Sequence, residues 1–456
     1  MAQKASIPKG TRDFLPAEVA KRSYVTDVIR TQFERYGFLP IQTPAMEKSS
    51  TLKGKYGDEG DRLMFNILNS GEKVKKADFN ALEKNALGKF TSSISDKALR
   101  YDLTVPFARF VVQHQNEIAF PFKRYQIQSV WRADRPQRGR FQEFTQCDAD
   151  IVGSVSPLLE AECMQLFDDV FNALSLEGAT IRINHRAILA GIANYLDAPD
   201  RIVDFTVALD KLDKIGTEGV FAELRNKGFD DAALNRLSPM FELSGDIISQ
   251  LDQLEEILAS QPNALEGIAH LRQTLSFLSP LKVSQLAFDL TLARGLNYYT
   301  GIIFEIAPPS AVAIGSLGAG GRYDDLTAVF GLLDMHGLGI SFGLDRLCIV
   351  LEELNLFPHT LEQAVDIVVL HFGDSYIQDL IPYFAKWRDI GIRINCYPLA
   401  HKLKKQMQFA NQTQAPWVMF YGNDEQQKGI VSLKNMHDGT NSEIKLEDFS
   451  KKFVKH

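Results

Sequence analysis

The chain has 456 residues, 45% hydrophobic and 23% charged, with a net charge of −7. That length exceeds one ordinary core and requires two or three domains, and the composition excludes intrinsic disorder. No apolar stretch is long enough to span a bilayer and the polar start MAQKASIPKGTRDFLP has no signal-type core, so a cytoplasmic protein with no membrane contact is expected. Cys147, Cys163, Cys348 and Cys396 form no CxxC pair and have no histidines at metal-ligand spacing, which favours reduced thiols over a structural zinc. The negative sum does not exclude nucleic acid, because distribution matters more. From Glu362 onward 12 Lys and Arg face 11 Asp and Glu, with a cluster at Lys402, Lys404 and Lys405. A solvated helix face is the plain alternative for that cluster.

In chain order, an amphipathic helix is predicted from Ala17 to Phe38, then an edge strand from Leu39 to Met46 whose two prolines forbid helix. Strand patterns at Lys123–Arg132 and Phe141–Gly153 flank the loop Ala133–Arg140 and predict a long antiparallel hairpin. Residues from about Ala190 to Lys282 carry Leu, Ile and acidic residues at helical spacing and predict a helical insertion. Strands return at Leu286–Leu292 and Thr300–Ile306. A Gly-rich stretch, Gly315–Asp324, leads to the strand-to-helix segment Gly337–Arg346, and the helix ends near Leu356. Phe357–Thr360 is a linker. Beyond it, strands at VDIVVLHFG, RINCYP and WVMFYG alternate with helices, as in a small α/β domain with a partly parallel sheet.

Alternation along the hairpin places Arg124, Gln126, Gln128 and Arg132 on one face, and Gln146, Asp148 and Asp150 on one face of the returning strand. Such a polar floor suits a ligand cavity; a solvated sheet face is the alternative. The hairpin loop holds Arg135, Arg138 and Arg140, whose guanidinium forks suit phosphate. Asp102 and Thr104 can accept from an ammonium group or cap a helix. Arg346 stands near a helix start, against the dipole, which points to an anion nearby or to an ion pair with Asp345 or Asp324. Leu292–Glu305 combines Arg294 with Tyr298 and Tyr299. No GxxxxGK[ST] loop, dinucleotide fingerprint or GxSxG element is present. Arginines with hydrogen-bond acceptors suit positional and electrostatic catalysis on a phosphate ester.

Together these segments resemble the class II aminoacyl-tRNA synthetases, and within them the histidyl-tRNA synthetase family. Lys9-Gly-Thr-Arg-Asp-Phe-Leu-Pro16 is similar to the family's N-terminal signature. Tyr36–Pro44, Arg132–Asp150 and Gly337–Arg346 are similar to the three class motifs. Leu292–Glu305 and Ala319-Gly-Gly-Arg-Tyr-Asp324 are similar to the two segments peculiar to the family. The resemblance implies an α/β (α+β) architecture. Residues 1–356 would form the antiparallel-sheet catalytic domain with its helical insertion. Residues 357–361 would link it to a mixed α/β anticodon-binding domain at 362–456.

The resemblance also implies the chemistry. L-histidine and ATP would give histidyl-adenylate, with Mg2+ bridging the phosphates, and the histidyl group would pass to tRNA(His). Arg132, Arg294 and Arg346 would be catalytic and bind ATP. Asp102, Thr104 and Gln146 would hold the α-amino group, Arg132 and Arg294 the carboxylate and α-phosphate. Asp150 and Tyr299, with Tyr298 beside them, would read the imidazole. Arg135, Gln137, Arg138 and Arg140 would meet the tRNA acceptor end, and the protein would be a homodimer. Three departures stand out: Asn297 replaces the usual Asp, and Asp102 and Asp150 are one methylene shorter than the Glu of many bacterial members. A regulatory paralogue without an anticodon domain, and synthetases for threonine, glycine or proline, are the alternatives. The full C-terminal domain and the Arg294–Tyr299 segment argue against them.

Overall fold

The computed structural model describes residues 4–209, 211–281, 283, 285–293, 299–324, 326–362 and 365–453. Two compact units emerge, one of Met1–Asp13 and Val25–Leu356, the other of Phe14–Tyr24 and Phe357–His456.

In the first unit the strands are β1 (Leu39–Pro40), β2 (Met46–Lys48), β3 (Asn66–Ile67), β4 (Lys97–Leu99), β5 (Phe122–Trp131), β6 (Glu143–Val152), β7 (Thr180–His185), β8 (Leu286–Phe288), β9 (Ile302–Ala307), β10 (Gly318–Tyr323) and β11 (Gly337–Gly343). Eight of them form one sheet in the order β1-β5-β6-β11-β10-β9-β7-β8, and β2, β4 and β3 form a small separate sheet. The large sheet is antiparallel except at its edges, where β1 runs parallel to β5 and β8 to β7. The predicted hairpin is β5–β6, ten residues on each side.

The first helix forms over Pro16–Arg35. It ends where Gly37 takes a left-handed φ of 77° and the Phe38 N–H donates to the Phe33 carbonyl at 3.0 Å. The single edge strand expected over Leu39–Met46 is not formed. Only Leu39–Pro40 joins the large sheet, and Met46 begins β2 in the small one. Pro40 and Pro44 lack the N–H groups that a continuous ladder needs.

The helical insertion runs through helices Arg186–Tyr195, Ile202–Leu209, Leu212–Asn226, Asp231–Leu237, Ile247–Ile257 and Pro262–Leu278. Asp230 and Asp246 cap two of them, accepting from the Ala233 and Ser249 N–H groups at 2.7 and 2.8 Å. Most of the Gly-rich stretch forms strand β10. A Cβ at Gly320 would lie 2.4 Å from the Gly339 carbonyl oxygen, so this position admits only glycine.

The second unit is a five-stranded sheet: β12 (Ile367–His371), β13 (Ile394–Cys396), β14 (Trp417–Tyr421), β15 (Ile430–Asn435) and β16 (Asn441–Lys445), in the order β13-β12-β14-β15-β16. β12 is parallel to β13 and β14, whereas β15 is antiparallel to β14 and β16. Both faces of β12 are covered, which explains its unbroken apolar run.

Gln406, fully buried on helix Leu403–Gln412, accepts from the His371 N–H at 3.1 Å and donates to the His371 and His401 carbonyls at 2.8 and 2.7 Å. Gln406→Leu leaves these three groups unpaired and is expected to lower stability by about 2–4 kcal/mol. Denaturant unfolding followed by tryptophan fluorescence checks this; a loss below about 1 kcal/mol would mean that the backbone finds other partners.

Candidate active site

The hairpin register sets the site. Arg124 stands opposite Asp150, Gln126 opposite Asp148, and Gln128 opposite Gln146. Cross-strand partners share a face, so one stripe of polar side chains runs along both strands. The stripe divides in function. Gln146, Asp148 and Asp150 line a cavity of about 270 Å³, whereas Arg124, Gln126 and Gln128 do not. Gln126 is bound to Thr43 Oγ1 at 2.8 Å and Gln128 to the Arg100 guanidinium at 3.2 Å. Arg124 is fully buried, with Nη2 2.6 Å from Asp150 Oδ2 and its guanidinium 4.3 Å above the Phe107 ring. These three residues buttress the cavity-lining ones from the neighbouring strand on the same face.

Asp150 is held from two further sides. Tyr323 at the end of β10 donates its hydroxyl to Asp150 Oδ1 at 2.6 Å. Gly339 on β11 is the register partner of Asp150, and a Cβ there would come within 2.2 Å of Asp150 Oδ1. Gln146 donates to Ser341 Oγ at 3.1 Å. Asp102 Oδ1 accepts from the Tyr56 hydroxyl at 2.8 Å and from the Val105 N–H at 3.1 Å. Asp102 therefore caps helix Thr104–His114 and faces the cavity at once. Thr104 and Tyr299 complete this region.

Burial raises the carboxyls of both Asp148 and Asp150 above the aspartate range, with Arg124 opposing it. Asp148 is pushed up to about 7. Like-charge repulsion adds to this, from Asp150 and Asp102 at Asp148 and from Asp102 at Asp150.

A second group is cationic. Arg132, Arg140 and Arg346 all line the cavity. Arg132 Nε donates to the Tyr101 carbonyl at 3.1 Å, and its guanidinium lies 4.4 Å from the Tyr101 ring centre. Arg346 donates to the carbonyls of Gly139 at 2.9 Å and Ser316 at 2.6 Å. Burial lowers its pKa, and the neighbouring Arg140 and Arg132 lower it further, against Glu305 and Asp134. Neither aspartate expected as its partner takes it: Asp345 pairs with Arg12, and Asp324 with His336 at 3.0 Å. Three guanidiniums around one cavity define a place for an anion.

Not every expected residue enters the cavity. In the hairpin tip, Gln137 and Arg140 exchange backbone hydrogen bonds at 3.1 and 2.9 Å around Gly139, whose φ is 68°. Arg140 lines the cavity, whereas Arg135, Gln137 and Arg138 are exposed outside it and Arg138 is paired with Glu353. Arg294, Asn297 and Tyr298 lie outside the described residues. Tyr56, Tyr323, Ser341 and Asp148 join the site as well. Alternation places Asp148 beside Gln146 and Asp150, and Tyr323 and Ser341 fall in motif-like segments, whereas Tyr56 has no local sequence signal.

This sheet with its polar hairpin and guanidinium group is that of a class II aminoacyl-tRNA synthetase. The family model described as Histidyl-tRNA synthetase matches residues 84–347, and that described as Anticodon binding domain matches residues 366–456. A histidine–tRNA ligase of Christiangramia forsetii is 54% identical over 99% of each chain, and one of Flavobacterium johnsoniae is 50% identical over 99% of each. The crystal structure of histidyl-tRNA synthetase from Nostoc sp. PCC 7120 matches with a TM-score of 0.83, 28% identity and 99% of both chains covered. The chain belongs to the histidyl-tRNA synthetase family.

The raised Asp148 carboxyl has a consequence for stability. Its folded value lies above the unfolded one, so native protein keeps a proton that the unfolded chain has already released between about pH 4 and 7. Stability from this group is intact below about pH 4, falls as pH rises from about 4 to 7, and is lost above that. Asp148→Asn is therefore expected to raise Tm at pH 8 by at least about 2 °C relative to wild type, with a clearly smaller gain near pH 4. Equal shifts at both pH values in thermal melts would refute it. Gly339→Ala, in turn, is expected to displace Asp150 and weaken amino-acid binding by about tenfold or more, read by calorimetric titration.

Proposed function

We infer that the protein is an ATP-dependent histidine–tRNA ligase that forms histidyl-adenylate and charges tRNA(His). The observation that carries the reading is the division of charge within one cavity, with Asp102, Asp148 and Asp150 in one group and Arg132, Arg140 and Arg346 in the other. A free amino acid with a two-nitrogen ring matches the first group and a nucleoside triphosphate the second.

In this reading Asp102, Thr104 and Gln146 hold the α-amino group. Asp150 and Tyr299, with Tyr298, pair with the imidazole nitrogens, so a ring lacking either nitrogen leaves a buried group unpaired. Arg132 holds the carboxylate and the α-phosphate, Arg294 acts at the α-phosphate, and Arg346 binds the ATP tail near the adenine. The histidine carboxylate oxygen attacks the α-phosphorus and pyrophosphate leaves. Arg132 and Arg294 stabilise the charge developing on the phosphoryl oxygens. The terminal ribose hydroxyl of tRNA then attacks the acyl carbon and AMP departs. Among the described residues no cluster of three or more His, Cys, Asp or Glu could hold a metal. Mg2+ needs none when phosphates supply most of its oxygens, and Asp134, which lines the cavity beside Arg132 and Arg140, would be the carboxylate near an ion arriving on ATP. Such an ion neutralises phosphate charge when bound.

Arg135, Gln137, Arg138 and Arg140 on the hairpin tip would contact the acceptor end, and the domain at 362–456 would read the anticodon. Lys402, Lys404 and Lys405 are exposed at the start of helix Leu403–Gln412. The helix dipole disfavours cations there, as with Arg346, and a phosphate would relieve it. A cytoplasmic homodimer completes the reading.

ATP–pyrophosphate exchange driven by each amino acid in turn tests it. Histidine alone should support exchange, and Arg294→Ala should abolish exchange while sparing histidine binding; exchange with another amino acid and not histidine would overturn the assignment. Replacing Lys402, Lys404 and Lys405 together by Ala is expected to leave exchange unchanged and to lower kcat/KM for tRNA charging by about tenfold at physiological salt. Unchanged charging would remove these lysines from the tRNA surface.

A further inference from the structure

Behind the sheet, on the face away from the cavity, lies a buried polar chain that none of the assignments above uses. Tyr323 and Arg322 are neighbours on β10, so their side chains leave opposite faces of the sheet. Tyr323 faces Asp150. Arg322 faces Glu160 on helix Leu158–Ala173, with Nε at 2.7 Å and Nη2 at 2.5 Å from Glu160 Oε1. Its Nη1 donates to the Ser154 carbonyl at 3.1 Å. Glu160 is fully buried and Arg322 only 5% exposed.

The chain continues into the helical insertion. His270, on helix Pro262–Leu278, has Nε2 3.4 Å from the same Glu160 oxygen, and its Nδ1 lies 3.1 Å from His185 Nε2. His185 Nδ1 accepts from the Ala187 N–H at 3.1 Å. Burial, His270 and Arg322 lower the His185 pKa to about 3, so the ring is neutral. With Nδ1 accepting, its proton sits on Nε2 and is donated to His270 Nδ1. The Nε2 edge of His270 is buried 3.4 Å from Glu160 without hydrogen-bonding to it. The hydrogen bond between the two histidine rings therefore sets the His270 ring against the Glu160–Arg322 pair. A Cβ at Gly267 would lie 2.9 Å from His185 Nδ1, so glycine there lets the insertion helix come this close.

We propose that Glu160 and Arg322 are positioning residues for the amino acid. Their ion pair, with the His270 ring of the insertion packed against it, fixes the end of β10 so that Tyr323 holds Asp150 aimed into the cavity. A buried pair of this kind is a poor source of stability against an apolar replacement but a good source of fixed geometry. The proposal rests on the reading of Asp150 as an imidazole ligand.

Steady-state ATP–pyrophosphate exchange tests both separately. Glu160→Gln is expected to raise the KM for histidine by roughly fivefold to twentyfold, with kcat and the KM for ATP within about twofold of wild type. Tyr323→Phe should give the same split, and the double variant should be no worse than Tyr323→Phe alone, because both act through one contact. His270→Leu should raise the same constant by a smaller factor. Should Glu160→Gln fail to fold, Arg322→Lys, which keeps the charge but loses the Nε–H, should show the same selective rise. An unchanged histidine KM, an equal rise in the KM for ATP, or effects that multiply in the double variant would overturn the proposal. Asp150→Asn provides the control: if it too leaves the histidine KM unchanged, the Asp150 assignment itself is at fault.

Discussion

Asp150 can remain inside the sheet only because Arg124 stands opposite it and Tyr323 donates to it. A buried, unpaired carboxylate costs several kcal/mol, and removing one partner of such a pair leaves the other stranded. The two partners come from β5 and β10, and the Gly339 that makes room comes from β11. Four strands therefore meet at one carboxylate. A slip of one residue in any of them would turn Asp150, Arg124 or Tyr323 to the other face. Register and ligand chemistry are fixed by the same contacts.

The cationic group follows a different rule. Arg346 is oriented by two carbonyl oxygens, from Gly139 at the hairpin tip and Ser316 before β10. Carbonyls hold a guanidinium in place without cancelling its charge, which a carboxylate would do. Arg132 is likewise held by the Tyr101 carbonyl and the faces of Tyr101 and Phe144. The carboxylate that could have neutralised Arg346, its neighbour Asp345, is engaged by Arg12 and by the Thr145 N–H. The charges stay available to a phosphate and are already aimed, which is the condition for electrostatic catalysis without reorganisation.

The sequence showed the hairpin, the insertion and the alternating C-terminal strands because each rests on local period and turn chemistry. Even the cross-strand stripe was legible, since alternation is rigid once a strand is recognised. Legibility failed where distant segments meet. Nothing near Tyr323 tells that its hydroxyl ends on Asp150, 173 residues away. The stripe also looked uniform from sequence, yet Gln126 and Gln128 are consumed by Thr43 and Arg100, residues from outside the hairpin. Glycines normally mark loops, but in β10 they are required by the close backbone of β11.

Asp102 and Asp150 are held in place by these surroundings. Asp102 reaches both the Val105 N–H at the start of its helix and the Tyr56 hydroxyl. A glutamate has one more rotatable bond, and ordering it costs further entropy. It also places its oxygens too far along to close a local cap. With aspartate, the helix start and the phenol define the orientation of the carboxylate before any ligand arrives. The same holds at Asp150, where Arg124 and Tyr323 leave one orientation. The short side chains thus exchange reach for fixed direction, and the flanking tyrosines Tyr56 and Tyr323 are what make that exchange workable.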